Sequence, residues 1–226
     1  MFLPPSPSRV AGLVLAAGAG SRYGMPKALV RDGAGRSWLQ RAVDVLAEAG
    51  CSPVIVVLGA RGAEAAALLD AGDDDSTGAP VWVRDRLPAS VRIVQATDWA
   101  EGLSASLRAG LRCAIEYPDL TAVAVIPVDV PDLNAATVAR MVGTNFSTNF
   151  GTTAAPGATV FSASTLRQAR FSGRSGHPVV IGREHWTPLL DTLAGDTGAR
   201  PYLRAHPVEH IECGDLGTGV DVDRPN

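Results

Sequence analysis

Apolar runs alternate with amphipathic ones along this chain. Residues 10–17 (VAGLVLAA) are apolar without interruption, the pattern of a strand covered on both faces, as in a parallel sheet. Ser37-Trp38-Leu39-Gln40 has the Ser-x-x-Gln form of a capping box. Leu39, Ala42, Val43 and Leu46 then recur at helical spacing until Gly50. Residues 53–58 predict a second strand, 62–69 a short Ala-rich helix, and 81–83 and 91–94 short strands. Leu103, Leu107, Leu111 and Ile115 share one helical face, with Ser104 as the expected cap. Residues 122–128 form another continuous apolar strand, 135–142 a helix, 179–181 a strand and 186–193 a helix.

Strand and helix alternate, and consecutive β-α-β units cross over right-handed. The expected fold class is therefore α/β: a doubly wound, mostly parallel sheet with helices on both faces. Ligands in such sheets sit at the carboxyl ends of the strands. That rule brings the loop at Gly18, the turn at Gly59 and Asp129 to one edge.

At 226 residues and 23.4 kDa, one domain over residues 10–226 is expected. Residues 1–9 are rich in Pro and Ser and lack the basic start and apolar centre of a signal peptide; they are read as a disordered leader. Hydrophobic residues make up 46% but aromatics only 5%, so the core must be built from Ala, Val and Leu. A net charge of −3 argues against nucleic acid as a partner, and no apolar run is long enough for a membrane span. Cys51, Cys113 and Cys213 are widely spaced and odd in number, which fits reduced thiols in a cytoplasmic protein. The acidic stretch Asp73-Asp74-Asp75 and the segment 144–153, with Thr-Asn-Phe twice, read as a solvated loop and a flexible surface insertion.

The chemistry concentrates in Leu15-Ala16-Ala17-Gly18-Ala19-Gly20-Ser21-Arg22-Tyr23-Gly24-Met25-Pro26-Lys27. A buried strand runs directly into a glycine loop bearing one Arg and one Lys, a combination that suits a polyphosphate. It is not a dinucleotide fingerprint, because Tyr23 stands at the third glycine position and the second strand ends in Gly59 rather than an acid. Nor is it a P-loop, because Gly24 is followed by Met25-Pro26-Lys27 rather than Lys-Ser or Lys-Thr. Asp129 stands where the strand 122–128 ends and suits Mg²⁺, which commonly uses one or two protein carboxylates. Asp221 and Asp223 alternate and, on a strand, would face the same side.

The loop resembles the signature of sugar-phosphate and cofactor nucleotidyltransferases. Residues 97–110 (TDWAEGLSASLRAG), 171–179 (FSGRSGHPV), 195–200 (GDTGAR) and 220–225 (VDVDRP) match in order. With the first loop and the Asp129 segment, they look like the molybdenum cofactor cytidylyltransferase branch of the MobA-like nucleotidyltransferases. The resemblance implies a Rossmann-like, glycosyltransferase-A-like fold. It also implies transfer of CMP from CTP to the terminal phosphate of a molybdopterin-type cofactor, with pyrophosphate released. A molybdenum hydroxylase is the implied downstream partner.

The same resemblance assigns roles. Leu15, Ala16, Ala17, Gly18, Ala19, Gly20 and Ser21 line the nucleotide site, with Gly102 and Ser104 on the base side. Arg22 and Lys27 stabilise phosphate charge. Asp129, with Asp221 or Asp223, holds Mg²⁺ or Mn²⁺. His177, Asp196 and Arg200 fall on the acceptor side.

Against the family pattern, a helix expected after the Asp-x-Asp-x-Pro motif does not appear before Asn226, and the Asp73 loop and the 144–153 segment look long. Three other readings stay open. They are nucleotidyl transfer to another phosphorylated acceptor such as a sugar phosphate, a flavin or nicotinamide oxidoreductase of the related nicotine-catabolic type, and a non-catalytic cofactor-delivery module.

Overall fold

The computed structural model of the chain describes residues 9–71, 90–143 and 162–224. Nearly all of the leader, the Asp73 loop, the strand expected at 81–83 and the 144–153 insertion lie outside the described residues. Among the described residues seven strands form one sheet: β1 (Arg9–Ala16), β2 (Val54–Leu58), β3 (Val91–Gln95), β4 (Leu120–Pro127), β5 (Leu166–Phe171), β6 (Arg174–Gly182) and β7 (Glu209–Glu212). Their spatial order is β3-β2-β1-β4-β6-β5-β7. The four strands β1 to β4 are mutually parallel, β6 runs against both β4 and β5, and β7 lies parallel to β5. The sheet is doubly wound and mostly parallel, as its apolar runs predict.

Among the described residues six α-helices accompany the sheet: α1 (Trp38–Glu48), α2 (Gly62–Ala71), α3 (Leu103–Ile115), α4 (Ala135–Val142), α5 (Trp186–Leu190) and α6 (Arg200–Ala205). Side chains of a strand alternate between faces, so β1 feeds two cores. Val10 and Val14 pack with Leu39 and Leu46 of α1 and Val138 and Met141 of α4. Ala11, Leu13 and Leu15 pack with Leu107 and Leu111 of α3, Trp186 and Leu189 of α5, and Tyr202 of α6. Ser37 caps α1 by accepting a bond from the Gln40 N–H, and Asn134 caps α4 by accepting one from the Thr137 N–H.

Several local expectations change. β5 and β7 have no hydrophobic pattern to announce them, because β5 reads Leu-Arg-Gln-Ala-Arg-Phe and β7 reads Glu-His-Ile-Glu. β6 begins at Arg174, well before the expected 179–181, since Ser172-Gly173 makes a tight hairpin turn with positive φ at both residues. Residues Arg174, Ser175 and Gly176 ahead of His177 are thus part of the sheet. α5 stops at Leu190 instead of residue 193. Gly102, not Ser104, is the N-cap of α3. Leu107 and Leu111 are buried, but Leu103 and Ile115 at the two ends of that face are exposed.

α3 approaches the sheet closely through Gly110. A Cβ there would lie 2.4 Å from Leu13 Cδ1 and 3.1 Å from Val57 Cγ2. Overfilling a packed core costs about 1–3 kcal/mol. Gly110→Ala is expected to lower the melting temperature by about 2–4 °C per kcal/mol lost; an unshifted thermal melt would show that the helix can simply move away.

Candidate active site

The Gly18 loop and Asp129 leave adjacent strands. Leu15 of β1 is in register with Pro127 of β4, and both chains exit at their carboxyl ends. β1 then connects outward toward β2 and β3 while β4 lies on its other side, so the exits flank the point where the strand order reverses. That is where open α/β sheets hold ligands.

The loop folds back on itself. The N–H groups of Tyr23 and Gly24 both donate to Gly20 O, at 2.9 and 2.8 Å. Gly20 has φ +65°, and a Cβ there would collide with the Met25 carbonyl, so only glycine fits. The N–H groups of Gly18, Ala19, Gly20 and Ser21 make no backbone hydrogen bond among the described residues. Tyr23 packs edge-on to Trp38 at 5.7 Å, fixing the loop to α1. Lys27 opens a short 3-10 turn, Lys27–Leu29, whose next residue, Ala28, is buried.

Lys27 Nζ donates to Asp129 Oδ2 at 2.7 Å and to Asp223 Oδ1 at 2.9 Å. The Lys27 and Asp129 side chains are only 15% and 18% exposed. Arg22 Nη1 donates to the second oxygen of Asp223 at 3.1 Å, at a far more open position. Burial by itself would lower the Lys27 pKa, but the hydrogen bonds and charges of Asp129 and Asp223 outweigh it and hold the ammonium above its ordinary value. The Lys27 hydrogen bond, then its charge, keep the Asp223 carboxyl below the usual carboxylate range.

These groups border a cavity of about 440 Å³, a size typical of small-molecule sites. Leu15, Ala16, Ala17, Gly18, Ala19, Gly20, Ser21, Arg22 and Lys27 line it, as do Asp129, Asp223 and Gly102. Other expected residues fall elsewhere. Ser104 is fully buried, one residue round α3 from the cavity-lining Leu103, and its hydroxyl is used by Ala194 O and Gly198 N. Residues 221–223 form no strand, so the alternation argument does not apply to them. Asp223 turns to Lys27, while Asp221 is exposed and does not line the cavity. Among the described residues no three His, Cys, Asp or Glu side chains are gathered as a metal cluster; three carboxylates line the cavity, Asp129, Asp196 and Asp223, of which Asp129 and Asp223 share the Lys27 ammonium.

The acceptor-side trio is divided. His177 and Arg200 do not line the cavity, whereas Asp196 does. His177 Nδ1 lies 3.3 Å from Val125 O, to which it donates. Desolvation lowers its pKa, against the opposing influence of that bond and of Asp129 and Asp221. Trp99 and Leu103, which sequence reasoning gave no role, form part of the cavity wall. Leu103 is 43% exposed, and its sequence signal was an apolar residue on the first turn of a helix.

A glycine bend, two cations and two carboxylates at the reversal point of a parallel sheet define a nucleotide-handling transferase enzyme. The chain belongs to the MobA-like NTP transferase domain family, whose profile matches residues 12–211. A nicotine blue oxidoreductase of Paenarthrobacter nicotinovorans is 34% identical over 217 residues, covering 95% of this chain and 92% of that protein. Two solved structures share the fold. A nucleotidyl transferase from Methanothermobacter thermautotrophicus (Mth528) has a TM-score of 0.67 at 21% identity, covering 96% of this chain and 92% of that one. Rv0371c of Mycobacterium tuberculosis H37Rv, in complex with manganese, has a TM-score of 0.61 at 24% identity, covering 95% and 94%.

The depressed Asp223 pKa predicts an acid limb in stability. Its contribution is present above the unfolded value of 3.8 and is lost as pH falls through the lower folded value. Melting temperatures of the wild type and Asp223→Asn should therefore converge as pH drops from about 5 to about 2. A gap that persists undiminished at the acid end would contradict the pairing.

Proposed function

We propose that this enzyme transfers CMP from CTP to the terminal phosphate of a molybdopterin-type cofactor and releases pyrophosphate. The observation that carries nucleotidyl transfer is the Lys27 ammonium at the mouth of the glycine bend, shared by Asp129 and Asp223. The family profile supports a nucleoside triphosphate as substrate. The choice of CTP and of the acceptor rests on the likeness of the Leu15-Ala16-Ala17-Gly18 loop and of residues 171–179 and 195–200 to the cytidylyl branch.

In this reading the free N–H groups of residues 18–21 bind triphosphate oxygens. Lys27 and Arg22 turn from the carboxylates to the phosphates and oppose the charge that builds during attack. An oxygen of the acceptor phosphate forms the new bond to the α-phosphorus, and the bond to the β-phosphate oxygen breaks with its electron pair leaving on pyrophosphate. The acceptor phosphate is already ionised, so no side chain has to remove a proton. The carboxylates of Asp129 and Asp223 are hard oxygen donors of the kind Mg²⁺ or Mn²⁺ takes, and two of them suffice alongside phosphate oxygens. When bound, such an ion supplies countercharge to the polyphosphate.

Lys27→Ala is expected to lower turnover by about 10²–10³-fold while weakening nucleotide binding much less, because its charge matters most in the transition state. The assay is pyrophosphate release with CTP, Mg²⁺ and a molybdopterin acceptor; unchanged turnover would remove Lys27 from the chemistry.

A second reading is favoured by one observation, the 34% identity to a protein named as an oxidoreductase. Against it, β2 runs into Gly59 and the buried Ala60, with no acid there to hold a dinucleotide ribose. The purified protein is expected to show no flavin band in its visible spectrum. A yellow preparation, or hydride transfer from a reduced nicotinamide, would favour the oxidoreductase.

A further inference from the structure

Asp196 is a carboxylate, a group that repels phosphate, yet it lines the cavity. The segment that carries it is fastened to α3 from beneath. Ser104 Oγ donates to Ala194 O at 3.0 Å and accepts from the Gly198 N–H at 3.2 Å. Arg108 Nη2 reaches Leu193 O at 3.4 Å, while its Nη1 is held by Asp98 at 2.7 Å. Gly195–Thr197 is a short 3-10 turn on this platform.

The carboxylate sits against Gly102. A Cβ on Gly102 would be 2.1 Å from Asp196 Oδ1, and Gly102 has φ +117°. Glycine therefore leaves both the backbone geometry and the room that the carboxylate occupies. Asp196 makes no hydrogen bond or ion pair to protein among the described residues. Gly102, against which Asp196 sits, shares the cavity lining with Trp99, Leu103 and Ser106, apolar and hydroxyl groups suited to a flat ring with a polar edge. The cations Arg22 and Lys27 are engaged elsewhere, by Asp223 and Asp129. The cavity thus holds two cations already paired with acids and, in Asp196, a carboxylate without a protein partner among the described residues.

We propose that Asp196 reads the base of the bound nucleotide by accepting a hydrogen bond from an exocyclic amino group, as cytosine offers and uracil does not. Ser104 and Arg108 act through it as positioning residues. This inference rests on the nucleotide-binding reading above, and it moves Asp196 from the acceptor side to the nucleotide side. An ionised acceptor opposite an amino group is favourable, whereas opposite a carbonyl oxygen it is repulsive.

The test is calorimetric titration of CTP, UTP and 2′-deoxy-CTP with Mg²⁺ into the full chain, for the wild type, Asp196→Ala and Asp196→Asn. Wild type is expected to bind CTP about tenfold or more tighter than UTP. Asp196→Ala should erase that ratio, chiefly by weakening CTP, with the melting temperature unchanged because the side chain is exposed. Asp196→Asn should retain an intermediate preference. A CTP/UTP ratio unchanged in Asp196→Ala overturns the inference while leaving nucleotide binding intact. Equal weakening of CTP and UTP, with no further effect on 2′-deoxy-CTP, assigns the carboxylate to the ribose and also overturns it. Failure of the wild type to bind any triphosphate defeats the nucleotide reading itself.

Discussion

The ammonium of Lys27 is held between carboxylates that lie 102 and 196 positions further along the chain. With Arg22 on the far oxygen of Asp223, two cations face two anions at the cavity. The group is balanced as it stands, which is why a largely buried lysine keeps its proton there. Removing either acid would strand charge in a poorly solvated place. In the proposed reaction a polyphosphate would bring surplus negative charge, compete for both cations, and leave the acids seeking a new counterion. The same cluster that stabilises the fold is thus the one that a charged ligand must rearrange.

This arrangement follows from topology. β1 and β4 are neighbours, so a bend leaving one and an acid leaving the other cannot be far apart. The segment after β7 then supplies Asp223, pinned by the Val222 N–H donating to Asp129 O at 2.9 Å. The β5–β6 hairpin sits on the opposite side of β4 from β1, and His177 of β6 reaches the β4 backbone. The glycine bend and the hairpin-borne groups are therefore divided by one strand.

Much of this is legible in the sequence. Strands buried on both faces leave unbroken apolar runs, so β1, β2 and β4 stand out, and with them the exits that carry the Gly18 loop and Asp129. Capping residues marked the starts of α1 at Ser37 and, in the structure, of α4 at Asn134. The strands toward the β7 side of the sheet are different. β7 is exposed and charged along most of its length, and β5 buries Arg167 through Glu209 and Met141 O rather than through an apolar pattern. Ser104 and Asp196 show a second limit: a motif names residues but not the face they take. On α3 the hydroxyl of Ser106 lines the cavity while that of Ser104, two residues before it, ties down a loop, and only packing decides between them.

The backbone bond from Val222 to Asp129 has a consequence for how the protein is made. Translation delivers the bend, the β4 acid and most of the sheet long before Asp223 leaves the ribosome. A nascent chain can therefore hold a nearly finished scaffold whose lysine has only one of its two acids. A cut between β7 and Asp223 would remove one acid of the charge cluster while leaving all seven described strands in the chain.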